Sequence, residues 1–138
     1  MRLEPESTWG ANAGLAAARK FLEPVATKFG LSQADVWTLA GATAIEYMGG
    51  PTIKWRPCRT DSAKPTTVPD GRLPSANCGS SQANVAHIRE VFGRLGFNDR
   101  ETVALIGAHA VGRCHPEASG FWGPWTYAES TFSNEVLE

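Results

Sequence analysis

The sequence lacks a cysteine framework, a charge imbalance and any long apolar run, and each lack removes a class of protein. Its three cysteines, Cys58, Cys78 and Cys114, are odd in number and without a close pair. Neither a disulfide scaffold nor a zinc cluster is suggested, and a reducing compartment is favoured. Thirteen basic against fourteen acidic residues leave a net charge of -1, so no electrostatic footprint for nucleic acid exists. No stretch reaches the roughly 18 apolar residues of a membrane span, and no charged-then-apolar leader follows Met1. Internal repeats and phosphate-cradling glycine motifs are also missing.

What is present suits one globular domain. With 138 residues, 42% of them hydrophobic, and five Trp, the chain has the length to bury an ordinary core, about two-thirds of its unfolded surface. Residues 1–10 are polar and irregular and read as a strand or loop. From Asn12, the positions Leu15, Ala18, Leu22, Val25 and Phe29 recur in steps of three and four, predicting a helix to about Lys28 that stops at Gly30. Pro24 should kink or divide it. Ser32 to Asp35 form a second helix start, and Val36, Leu39, Ala40, Thr43 and Tyr47 continue one side until Gly49-Gly50-Pro51. The small residues Ala40, Gly41, Ala42 and Ala44 would admit another helix.

Residues 51–81 carry no helical period, and so long a loop is either functional or draped over other structure. Its basic clusters, Lys54-Trp55-Arg56 with Arg59 and Asp70-Gly71-Arg72, read as turns and solvated surface. A third helix is marked by Val85, Ile88, Phe92 and Leu95 and closes at Gly96, with His87 off the stripe as an exposed residue. The fourth opens at Asn98 with Glu101 three residues on, a reciprocal cap, and is expected to reach Gly112. From Val103 to Val111 its only titratable side chain is His109. An imidazole on such a surface suits a buried metal or a haem iron. The same pattern also describes a hydrogen-bonded core histidine, which is the commoner case. Four helices without a sustained strand pattern predict an all-α fold.

The run Val103 to His115, followed by Ser119-Gly120-Phe121 and Gly123-Pro124-Trp125-Thr126, resembles the proximal half of the class I haem peroxidases, the ascorbate peroxidase and cytochrome c peroxidase group. Asn12-Ala13-Gly14-Leu15, Trp37-Thr38-Leu39-Ala40-Gly41, Gly49-Gly50-Pro51, Trp55-Arg56, Gly71-Arg72-Leu73-Pro74 and Gly96 to Glu101 stand in the family's order. The resemblance implies one partial domain over residues 1–138. Residues 1–97 would supply the latter part of a distal helical portion and a long loop, and residues 98–138 the start of a proximal one. It further implies haem b as cofactor, with His109 as axial ligand of the iron. Arg113 and His115 fall near the haem propionates, and Pro74 and Ala76 in a loop over the haem edge. Trp125 falls at the Trp beside the proximal His, which in some members holds an oxidising equivalent. Asn12 falls at the Asn that orients a distal His.

Other family features have no counterpart. The distal Arg, aromatic and His that cleave peroxide precede the Asn-Ala-Gly-Leu segment in the family, and none stands before Asn12. The Asp that accepts from the proximal His follows Trp125 there, whereas Glu129, Glu135 and Glu138 do not match its motif. Ala118 falls at the Arg that holds ascorbate, and Ser133 and Ala110 at a carboxylate and a hydroxyl ligand of a nearby cation site, of which Thr126 remains. Peroxide cleavage needs a base and a cation, each worth several kcal/mol, so weak or absent turnover is expected of this polypeptide by itself. The alternatives are a catalytically degenerate accessory subunit of a larger organellar complex, in chloroplast or mitochondrion and with or without haem, and a haem-binding module without turnover. Either way, a protein partner is expected over the apolar surface that absent helices would cover.

Overall fold

The computed structural model describes residues 2–65, 69–75 and 77–137. Among the described residues five α-helices form: α1 (Leu15–Phe29), α2 (Gln33–Tyr47), α3 (Ser81–Arg94), α4 (Asp99–Ile106) and the single turn α5 (Pro116–Ser119). The only ladder among the described residues joins the two-residue strands β1 (Arg113–Cys114) and β2 (Gly123–Pro124), antiparallel, with Arg113 opposite Pro124 and Cys114 opposite Gly123. The fold is all-α, as the helical periods predict.

Several expectations need correction. Of the strand or loop expected at the start, the chain takes the loop, with two 3-10 turns, Glu6–Thr8 and Gly10–Asn12. Pro24 does not divide α1, which runs unbroken to its left-handed cap at Gly30; one missing amide among fifteen residues is tolerated when the flanking turns hold. Among the described residues a core of ordinary size is not formed. Among the described apolar residues only Ala26, Val36, Val91 and Ala110 are buried. The stripes predicted for the first two helices do meet, but Leu22 and Val25 with Val36, Leu39, Ala40, Thr43, Ala44 and Tyr47 line an open apolar groove of about 420 Å³. Gly41 meets nothing within 4 Å of where a Cβ would stand, so this part of the small-residue surface takes no neighbouring helix. In α3 the buried residue is Val91, off the predicted stripe.

The long loop is fastened to α2. Ser32 caps the helix by accepting from Asp35 N, while the Asp61 carboxylate accepts from Gln33 N at 2.8 Å and Ala34 N at 3.0 Å. These partners satisfy the first free amides of the helix and place a negative charge at its positive end. The amides of Gln33 and Ala34, with the Arg2 charge, hold the Asp61 carboxyl below its usual pKa although burial opposes them. Asp35, buried, accepts from Cys58 N, Arg59 N and the Arg59 guanidinium, and Trp55 Nε1 donates to Thr38 Oγ1 at 3.0 Å. Arg59 and Trp55 thus act as anchors, not as free surface.

Helices α3 and α4 are bridged by Arg89, which donates through Nε and Nη2 to the Asp99 carboxylate. The shared charge lowers the Asp99 pKa and raises that of Arg89. Phe132 N donates to the Met48 carbonyl, returning the chain's end to the end of α2. Gly50 is required there: a Cβ would lie 2.6 Å from an Ile45 methyl and 3.0 Å from the Phe132 ring.

Candidate functional site

The element that carries His109 begins as predicted. Asn98 accepts from Glu101 N at 3.0 Å and Glu101 returns to Asn98 N at 2.9 Å, a complete capping box. The helix then ends earlier than its periodicity implied. After Ile106 the chain tightens into a 3-10 turn, Gly107–Ala110, and His109 lies in that turn rather than on α4. Nothing within 4 Å would meet a Cβ at Gly107, and His109 itself is exposed. A tightened turn at a helix end redirects side chains away from the helical stripe.

Sixteen residues later Trp125 returns to the same place: its indole and the His109 imidazole have centroids 4.5 Å apart and planes inclined by 54°. Three ties bring the loop back. The β1–β2 ladder pairs its two arms, Gly112 N donates to the Glu129 carbonyl at 2.8 Å, and the Thr126 hydroxyl donates to the Ala110 carbonyl at 2.9 Å within the interior. Two-residue strands carry no periodic signal, so sequence reading missed this ladder. Both ring nitrogens of His109 are without a hydrogen-bond partner among the described residues.

The flanking residues divide into those already engaged and those still free. Arg113 reaches Glu129 Oε1 at 3.4 Å, and the other carboxylate oxygen of Glu129 is buried without a hydrogen-bond partner among the described residues. Glu129 is thus a partner of Arg113, a role its poor motif match had hidden. His115 is exposed and stands 3.7 Å from Glu117 Oε1, too far for a firm hydrogen bond. Asn12 donates through Nδ2 to the Glu6 carbonyl at 2.7 Å, which leaves its amide oxygen as an acceptor. The turn Gly10–Asn12 packs on α5. Gly14 makes this close: with φ of +83°, it would place a Cβ 3.1 Å from that of Ala118. Pro74 is exposed on a loop fixed to α3, where Ser75 N donates to His87 Nε2 at 3.0 Å and Arg94 donates to the Arg72 carbonyl at 2.7 Å. His87 is therefore a half-buried anchor, correcting its reading as an exposed residue. Ala76 lies outside the described residues.

An exposed imidazole with both nitrogens free, set against an indole, has the donor atoms that a metal centre requires. Comparison with known proteins agrees, since residues 1–132 match the family described as Peroxidase. The chain belongs to the class I haem peroxidase family. It is 55% identical over 138 residues to the mitochondrial cytochrome c peroxidase of Aspergillus fumigatus, covering 99% of this chain and 36% of that protein. It is 56% identical to the mitochondrial cytochrome c peroxidase of Emericella nidulans, covering 99% and 37%. With that of Neurospora crassa the identity is 54%, covering 100% and 37%. The chain thus spans a little over a third of the length of these relatives. Membership in the family implies haem as the cofactor.

Proposed function

We propose that this chain carries the proximal half of a haem peroxidase site, with His109 as axial ligand of haem b. The observation that carries the reading is the His109 imidazole, both nitrogens free, held against Trp125 at 4.5 Å. Contact with the indole restricts rotation of the imidazole, so a nitrogen is presented in one direction. Arg113, partly neutralised by Glu129, and the exposed His115 supply a cation and a hydrogen-bond donor for haem carboxylates. Pro74 and Ala76 belong to the loop assigned to the haem edge. Asn12, with its amide oxygen free, is suited to accept from an imidazole N–H on a distal helix. A bound haem would supply the iron at which the oxygen–oxygen bond of hydrogen peroxide is cleaved.

The electron donor follows from the relatives. They are named for cytochrome c, and Ala118 stands where an ascorbate-holding Arg would fall, so reduced cytochrome c is the donor that this reading assigns to the completed enzyme. Trp125, in contact with the ligand, is the residue through which an electron would pass. The same relatives are mitochondrial, and the mitochondrion is the compartment proposed for this protein.

A second reading, a peroxidase-like accessory subunit, is favoured by exposed apolar surface. Tyr47, Phe21 and Trp122 are 92%, 80% and 80% exposed, and the groove between α1 and α2 is open. Surface of this kind is covered by protein in a stable assembly, and both readings include such a partner. Haem titration of the purified chain separates them. A stoichiometric Soret band that His109→Ala removes is expected under the first. No band, with His109→Ala unchanged from wild type, would replace it by the second.

A further inference from the structure

We propose that Thr126 is a positioning residue that fixes the contact between His109 and Trp125. Its hydroxyl donates to the Ala110 carbonyl at 2.9 Å, and both residues are buried, at 7% and 1% exposure. The bonded pair are immediate chain neighbours of the two rings in contact: Ala110 follows His109, and Thr126 follows Trp125. One side-chain bond therefore joins the two peptide segments next to the rings. The other ties hold the loop elsewhere: the β1–β2 bridges place Pro124, just before the indole, opposite Arg113, Gly112 N donates to the Glu129 carbonyl, and Tyr127 N donates to Glu135 Oε1. None of these bonds reaches the turn Gly107–Ala110 that holds His109. The Ala110 carbonyl has no other hydrogen-bond partner among the described residues, so removing the hydroxyl leaves a buried acceptor unpaired. The chain can relieve that only by letting water in or by shifting the segment that holds the indole.

The inference gains its functional meaning from the reading of His109 as a haem ligand, and the test separates the two. Proton NMR of the full chain without haem reads the contact directly, because the indole ring current displaces the His109 ring protons. Trp125→Ala supplies the reference without the indole. Thr126→Ser, which keeps the donor, is expected to retain the wild-type displacement. Thr126→Val, which keeps the shape and loses the donor, is expected to lose more than half of it. A merely structural role would lower the unfolding temperature of Thr126→Val and leave the displacement unchanged in the folded protein, and that result overturns the proposal. Should Thr126→Val fail to fold, the wild-type chain decides. A slowly exchanging Thr126 hydroxyl proton coupled to the Ala110 carbonyl carbon supports the clamp, and exchange at the rate of an exposed hydroxyl overturns it. Failure to bind haem with the displacement intact removes the ligand reading and leaves the clamp standing.

Discussion

The indole of Trp125 meets the imidazole of His109 with centroids 4.5 Å apart and planes inclined by 54°. Neither ring is placed by a long helix. His109 sits in a 3-10 turn beyond α4, and Trp125 follows a strand of two residues. Their meeting depends on a few bonds between loops, of which that from Thr126 to Ala110 is buried, which means the geometry is set locally even though little of the chain is buried. Residues poised this way can be replaced one at a time with a readable effect.

Trp125→Ala should weaken haem binding by roughly five- to tenfold, since a tilted aromatic contact contributes about 1 kcal/mol beyond area burial. Trp125→Phe should lose less, because a smaller ring still abuts the imidazole. Soret titrations of the two variants and wild type measure this. Equal affinities for all three would show that the indole does not support the ligand.

Asn98→Ala removes the acceptor for Glu101 N and should destabilise the chain by about 1 kcal/mol, a few degrees in unfolding temperature. Glu101→Gln should cost less, because a carboxamide oxygen can still accept from Asn98 N. Thermal unfolding followed by far-ultraviolet circular dichroism gives both values. A larger loss for the Gln variant would mean that the charge at the start of α4, not the reciprocal cap, holds the helix.

The four helices were legible because each announces itself locally. Ser32 and Asn98 accept from the third helical amide, and Gly30 takes the left-handed conformation that ends α1. The family motifs marked His109 and Trp125, but not how they meet. That depends on Thr126 with Ala110 and on Gly112 with Glu129, single bonds between loops that leave no period in the sequence. His87 was misread for a related reason: a position off an apolar stripe can still be claimed by a backbone amide, here Ser75. Burial followed the same logic. A stripe specifies an apolar face, and whether that face is covered depends on what packs on it; in α1 and α2 it lines an open groove.

His87→Ala should loosen the loop that bears Pro74. The Ser75 amide loses its acceptor, and with a net hydrogen bond worth about 1 kcal/mol the open form of the loop should rise roughly fivefold. Trypsin cleaves after Arg72, so the initial rate of cutting there reports the open population. Helix α3 should keep its helical signal, since His87 is not among the residues buried beneath it. Unchanged cutting would assign the loop's order to the Arg94 bond with the Arg72 carbonyl instead.

Asp35 should make the chain's stability depend on acid. Burial by itself would raise its carboxyl, but hydrogen bonds from Cys58 N, the Arg59 side chain and Arg59 N, with the Arg59 charge, outweigh this and hold its pKa below the usual 3.8. A group with a depressed folded pKa contributes stability that is fully present above the unfolded value and lost as pH falls through the folded one. Asp35→Asn removes the charge and turns a donor toward amides that need an acceptor, so the variant should be less stable at neutral pH. The gap from wild type should be constant above about pH 5 and shrink as the pH drops below the ordinary carboxylate range. Urea midpoints of both proteins between pH 3 and 7 measure it. Asp99, also held low, titrates in both proteins and its loss cancels in the difference; Asp61, which the Asp35 charge pushes up, is held lower still in the variant, so the slope reports Asp35 together with its coupling to Asp61. A gap that stays constant down to pH 3 would mean that Asp35 acts through shape and not through its charge.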